Sequence, residues 1–155
     1  MALEFNSIGV KLKYCVETTA GSRPTSNYTK LPDIKTIPGL DFAPSQLDVT
    51  NLEDQYRRFI PGVIDAGNDI AVVANLTADL KSKWATLVST ANSAWASGKS
   101  CWFEVAIPNF DSFYFAGIPQ GQGLPEANVD AVMETNLHII PNQIHGWANA
   151  STGGT

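Results

Sequence analysis

A thiol beside an imidazole can make a nucleophile and its base, and Cys101 with His138 offers those types. Two carboxylates can divide general acid and base duty, and Glu104 with Glu134 offers that pair. Neither pairing sits in a local motif that would mark it for chemistry. His138 and His145 lie seven residues apart, without further ligands at metal-binding spacing. The Gly-Gln-Gly at 121–123 does not extend into a phosphate loop, and no helical pattern follows it. G-x-S-x-G, H-E-x-x-H and C-x-x-C are all missing. The expectation from these residues is no catalytic site, no metal and no cofactor.

The elements that would have to position such residues are short and mostly strand-like. The chain has 155 residues, 44% of them hydrophobic and only 16% charged, which suits one packed domain and argues against disorder. No apolar run approaches the ~20 residues of a membrane-spanning helix, so no membrane insertion is expected. Glu4 stands where a secretion signal carries basic charge, and no apolar stretch follows, so the chain is expected to stay in the cytoplasm where it is made. In that compartment Cys15 and Cys101 read as reduced, buried small hydrophobes. The three Asn-x-Ser/Thr sequons, at Asn27, Asn75 and Asn149, then carry no meaning.

Charge is unevenly distributed. All 10 Lys and Arg precede Ser100, where ten of the 15 carboxylates balance them, so the net charge of −5 belongs to the last third. There Glu104, Asp111, Glu126, Asp130 and Glu134 stand without a single Lys or Arg. Such a block excludes the basic stripe of a protein that grips phosphates. It leaves two readings, a solvated acidic surface that aids solubility or a functional acidic wall.

Alternation in "IGVKLKYCV" (8–16) predicts a strand, and "ETTAGSRPTSNYT" (17–29) reads as a polar loop. Short strands are predicted at 33–37 and 45–50. Residues 51–69 show no clean period but hold Tyr56, Arg57, Arg58, Phe59 and Ile60, so they read as a long functional loop. "IAVVANL" (70–76) is apolar enough for burial on both faces. Thr77 then caps a helix over about 77–97, Asp79 suits its N-terminal dipole, and Gly98 ends it. Leu80, Trp84, Leu87, Val88, Ala91 and Trp95 make its apolar stripe, a packing surface. Lys81, Lys83, Ser89 and Asn92 fall on the opposite side. "SCWFEVAI" and "SFYFAGI" around "PNFD" predict an aromatic hairpin. "VDAVMETNLHII" (129–140) predicts a final strand with one apolar and one acidic face. The prediction is therefore a mainly β fold, with a single domain over 1–147 and a flexible C-terminal tail over 148–155.

This order of elements resembles the major tail tube protein of long-tailed bacteriophages, and more distantly the tube protein of type VI secretion. The resemblance is carried by "IGVKLKYCVETTAGSRPTSNYTKLPDI", "SQLDVTNLEDQYRRFIPGVIDAGNDIAVVAN" and "CWFEVAIP…FYFAGIPQGQG…EANVDAVMETNLHIIPNQIHGW". It covers roughly residues 5–147 as a diffuse pattern without an invariant signature. It implies two packed antiparallel sheets, sandwich- or barrel-like, flanked by one helix.

In function it implies homohexameric rings that stack into the tail tube of a virion, assembled in the bacterial cytoplasm, through which the genome leaves. Implied partners are further copies of the chain, the tape measure protein, and tail terminator and baseplate proteins. Double-stranded DNA would pass without specific binding. Tyr56, Arg57, Arg58, Phe59 and Ile60 would then make inter-ring or inter-subunit contacts. Asp48, Glu104, Asp130 and Glu134 would line the lumen, where carboxylates repel the polymer that Lys or Arg would capture. The helix would lie on the outer side, and segments 17–29 and 148–155 would order on assembly. The alternative is a monomeric β-sandwich that binds carbohydrate, with Trp102 or Trp147 as stacking platforms.

Overall fold

The computed structural model describes residues 8–40, 43–64 and 69–152. The described chain is mainly β, with one helix, as expected. Nine strands run in the order β1 (Lys11–Val16), β2 (Thr29–Lys30), β3 (Ile34–Thr36), β4 (Pro44–Asp48), β5 (Phe59–Ile64) and β6 (Ile70–Asn75). The helix α1 (Ala78–Ala96) follows, then β7 (Cys101–Ala106), β8 (Ser112–Pro119) and β9 (Glu134–Ala148). Seven strands form one antiparallel sheet in the order β2-β1-β7-β8-β9-β6-β3, while β4 and β5 form a separate two-stranded sheet.

The connection between the two edge strands forces the large sheet to curl. Seven strands laid flat would put its edges ~29 Å apart. Lys30 ends one edge strand and Ile34 begins the other, and so short a chain spans at most ~14 Å. The edges must therefore bend toward each other. Leu31, in the connection, is buried and its N–H donates to the Leu12 carbonyl at 2.9 Å. One sheet face supplies Leu12, Val72, Phe103, Phe115, Leu137 and Ile139 to a common core. Phe103 and Phe115 are directly opposed across the β7–β8 ladder and stack with centroids 5.4 Å apart.

The helix closes this core. Thr77 caps it as predicted, its hydroxyl accepting from the Leu80 N–H at 3.2 Å. At the other end the Gly98 N–H donates to Trp95 and the Lys99 N–H to Ala94, the paired bonds of a Schellman turn. Gly98 takes φ +76°, which a side chain would strain. Leu80, Trp84, Leu87, Ala91 and Ala94 are buried. The predicted stripe thus needs one correction: Trp95 is half exposed, and Ala94 takes its place. The steps 80, 84, 87, 91, 94 keep one face, and Trp95 lies a further ~100° around the helix. Val88, at the border, is partly buried against the core. Lys81, Ser89 and Asn92 are exposed as expected, and Lys83 pairs with Asp79 at 3.6 Å.

The opposite sheet face carries a second cluster of Tyr28, Trp102, Tyr114 and Ala116. Segment 17–28 and residues 148–152 cover it. The Trp102 indole donates to Glu17 at 2.7 Å, and Glu17 also accepts from the Gly21 N–H at 2.9 Å. The Arg23 guanidinium lies 4.3 Å from the Tyr114 ring centre. Ser26 bridges Thr152. Residues 148–152 of the predicted tail thus lie against the sheet through Ser151 and Thr152.

Two strand boundaries differ from the sequence reading. Residues 59–64 of the loop predicted over 51–69 are strand β5, while 65–68 lie outside the described residues. Phe59, Ile60, Val63 and Ile64 suit a strand, and the interposed Pro61-Gly62 hides the pattern. The last strand starts at Glu134 rather than 129 and continues through "PNQIHGWA" to Ala148. Register shifts against β8 leave Asn142 and His145 as extra residues, which breaks the alternation a sequence reading depends on.

Candidate assembly surfaces

The β4–β5 ribbon is an arm. A ten-residue turn joins its strands (49–58), and side chains shape that turn. The Asp54 carboxylate accepts from the Asn51 N–H at 3.0 Å and the Arg58 Nε at 2.9 Å. The Thr50 hydroxyl accepts from the Arg58 N–H at 2.8 Å, and the Val49 N–H donates to the Arg58 carbonyl at 3.0 Å. Beyond its own pairing, the ribbon packs substantially against no other described element. Leu47 faces Ile60 across it and Asp48 faces Phe59, so apolar groups stand on both sides. Leu47, Phe59, Ile60 and Ile64 are each about half exposed, while Leu52, Tyr56 and Val63 stand almost wholly in water. Of the residues predicted for intersubunit contact, Tyr56, Arg57, Phe59 and Ile60 are exposed, and Arg58 is exposed although paired with Asp54.

An apolar groove of about 590 Å³ opens at the root of this arm. Val10, Ile37, Pro38, Leu40, Ile64, Val105, Ile107, Phe113, Ile144 and Trp147 line it, without a charged side chain among them. Trp147, 56% exposed, stands at this groove with its ring edge-on to Phe110 and Phe113. The sequence reading missed the groove because its walls come from five separate stretches of chain.

The four acidic candidates do not form one wall. Asp48 is exposed on the arm, its carboxyl held below the usual range by the Thr50 hydroxyl and by the Thr50 amide at 2.9 Å. Asp130 is exposed in a turn ahead of β9, not on the strand. Glu134, at the start of β9, pairs with Lys35. Glu104 is a correction: it is fully buried and cannot face a lumen. Its carboxylate accepts from the Tyr114 hydroxyl at 2.9 Å, the Ser151 N–H at 3.0 Å and the Ser151 hydroxyl at 2.6 Å. Burial alone would raise its pKa, but the hydrogen bonds, those of Ser151 foremost, outweigh burial and hold it below the usual carboxylate range. Burial and the Glu104 contact push Tyr114 up to about 12.

The candidate catalytic pairs are separated. β8 lies between β7 and β9, so neither Cys101 with His138 nor Glu104 with Glu134 is on adjacent strands. Cys101 points into the core, where burial pushes its thiol up to about 12. His138 is exposed on the other face and paired with Asp69. Among the described residues no three His, Cys, Asp or Glu side chains gather as metal ligands. Trp102 is buried, which removes one of the two platforms a carbohydrate-binding module would use.

No family model matches the sequence, and no curated protein does. Solved structures do share the fold. One is a chain of the virion of a native gene transfer agent particle, 14% identical, with a TM-score of 0.60 over 94% of this chain and 99% of that one. Another is a chain of the tail of an empty gene transfer agent particle, determined with helical refinement and C6 symmetry. It is 15% identical, with a TM-score of 0.59 over 96% of this chain and 100% of that one. A third belongs to the six-fold symmetrised baseplate of the anti-feeding prophage, 8% identical, with a TM-score of 0.61 over 98% and 100%. This chain shares its fold with chains of these three particles. The match spans 94–98% of this chain and 99–100% of those chains.

Proposed function

We propose that this chain is a structural subunit of a virion tail, forming homohexameric rings that stack into a tube for genome passage. The observation that carries the reading is the unpacked arm with apolar residues on both faces, set on a fold shared end to end with chains of sixfold tail assemblies. A two-stranded ribbon is marginal in water by itself and gains stability from surfaces that cover it. A heterologous contact repeated around an axis closes a ring, and repeated along the axis it builds a filament. The tube would run from a baseplate to a terminator around a tape measure protein. Asp48, Asp130 and Glu134 remain the candidates for an acidic lumen, with Glu134 partly neutralised by Lys35.

Negative-stain microscopy of the concentrated purified protein tests this reading. Rings or tubes with sixfold symmetry are expected. Monomers at every concentration would overturn it.

A further inference from the structure

Resting on that tail-subunit reading, we infer that the arm tip of one copy, Leu52 and Tyr56, seats in the apolar groove beside Trp147 of a second copy.

The groove exists because one strand outruns its neighbour. β6 ends its pairing with β9 at Ile139, yet β9 continues to Ala148. β8 occupies one edge of that extension, and no strand among the described residues occupies the other. Ile144 and Trp147 there line the groove together with Ile37 and Leu40. A cleft whose described lining is wholly apolar favours an apolar occupant.

The same chain provides a segment of matching chemistry and cannot use it on itself. Ile64, the last residue of β5, is both the arm's root and part of the groove wall. The six residues of β5, rising ~3.3 Å each, set the turn at least ~17 Å from that root. Its own groove is therefore out of the tip's reach, whereas a second copy's groove is not. Arg58 at the tip is already paired with Asp54, so seating Leu52 and Tyr56 need not bury that guanidinium without a partner. Tip-into-root contact is directional. Each copy offers one tip and one groove, so the contact propagates from copy to copy as a ring or stack requires.

Placing the photoreactive amino acid p-benzoylphenylalanine at position 56 tests this in the full-length protein. Assemblies made from a mixture of 15N-labelled and unlabelled chains would be irradiated and the adducts mapped by mass spectrometry. Adducts between isotopically different chains, on peptides containing Ile37–Leu40 or Ile144–Trp147, are expected. Adducts on α1, on another arm, or only within one chain would overturn the inference. Trp147→Ala, at a partly exposed position, should keep the monomer's circular dichroism yet raise the concentration needed for assembly by about tenfold or more. Unchanged assembly of that variant would also count against it. If rings form and the adducts fall elsewhere, this contact alone fails; if the wild type never assembles, the tail-subunit reading fails with it.

Discussion

The helix-backed sheet and the β4–β5 arm obey opposite packing rules within one chain. In the sheet, Phe103, Phe115, Leu137 and Ile139 disappear between strands and helix. In the arm, residues of the same kinds, Phe59, Ile60, Leu47 and Val63, face water on both sides of a ribbon. A fold driven by removing apolar surface from water tolerates the second arrangement when something outside the chain covers it. The body covers its own apolar surface; the arm, within one chain, does not.

The comparison breaks first at Trp84. Its side chain is fully buried and its indole donates to the Gln120 carbonyl at 2.8 Å. Trp84→Ala should destabilise the monomer by ~3–5 kcal/mol in denaturant titration. If the loss were under ~1 kcal/mol, the helix would not be part of the body's core.

Glu104 comes next. Glu104→Leu would take the acceptor from the Ser151 N–H and hydroxyl, leaving the Tyr114 hydroxyl only the Asn149 carbonyl at 2.7 Å, and cost ~1–3 kcal/mol. The pH dependence has a definite sign. The folded carboxyl titrates below its unfolded value, so its contribution is present above about pH 4 and fades as the pH falls through the folded pKa. Acid unfolding of the wild type should therefore be steeper below about pH 4 than that of Glu104→Gln. Parallel acid profiles would remove Glu104 as the tie that holds residues 149–152.

Gly117→Ala is expected to have a similar or smaller effect, ~1–3 kcal/mol, because β8 and β9 approach too closely for a methyl group. A Cβ there would meet Ile139 Cγ2 at 2.5 Å and the Ile140 carbonyl oxygen at 2.9 Å. Thermal unfolding measures it. Trp95→Ala, half exposed at the helix end, should stay within ~0.5 kcal/mol by the same method. A loss as large as that of Trp84→Ala would restore Trp95 to the core.

The body was the legible part of the sequence, because self-contained packing leaves a period. The Thr77 cap, the Leu80–Trp84–Leu87 spacing and the aromatic hairpin each follow from local rules. Legibility ended where long-range partners decide. Glu104 reads as surface charge until Tyr114 and Ser151 are seen to surround it. The second half of β9 is concealed by Pro141, Gly146 and two bulges. Of the arm, β4 was legible as a short strand, but β5 shows neither period, since a ribbon wet on both faces has no inside to alternate with.

The most direct test of the central claim, that the arm belongs to another copy, is sedimentation velocity on the wild type and the double variant Leu52→Glu/Tyr56→Glu. Both should melt at the same temperature within a degree or two, because these side chains touch no part of the body's core. The wild type should sediment as hexamers or larger assemblies and the variant as monomer. A variant that assembles as the wild type does would contradict the account.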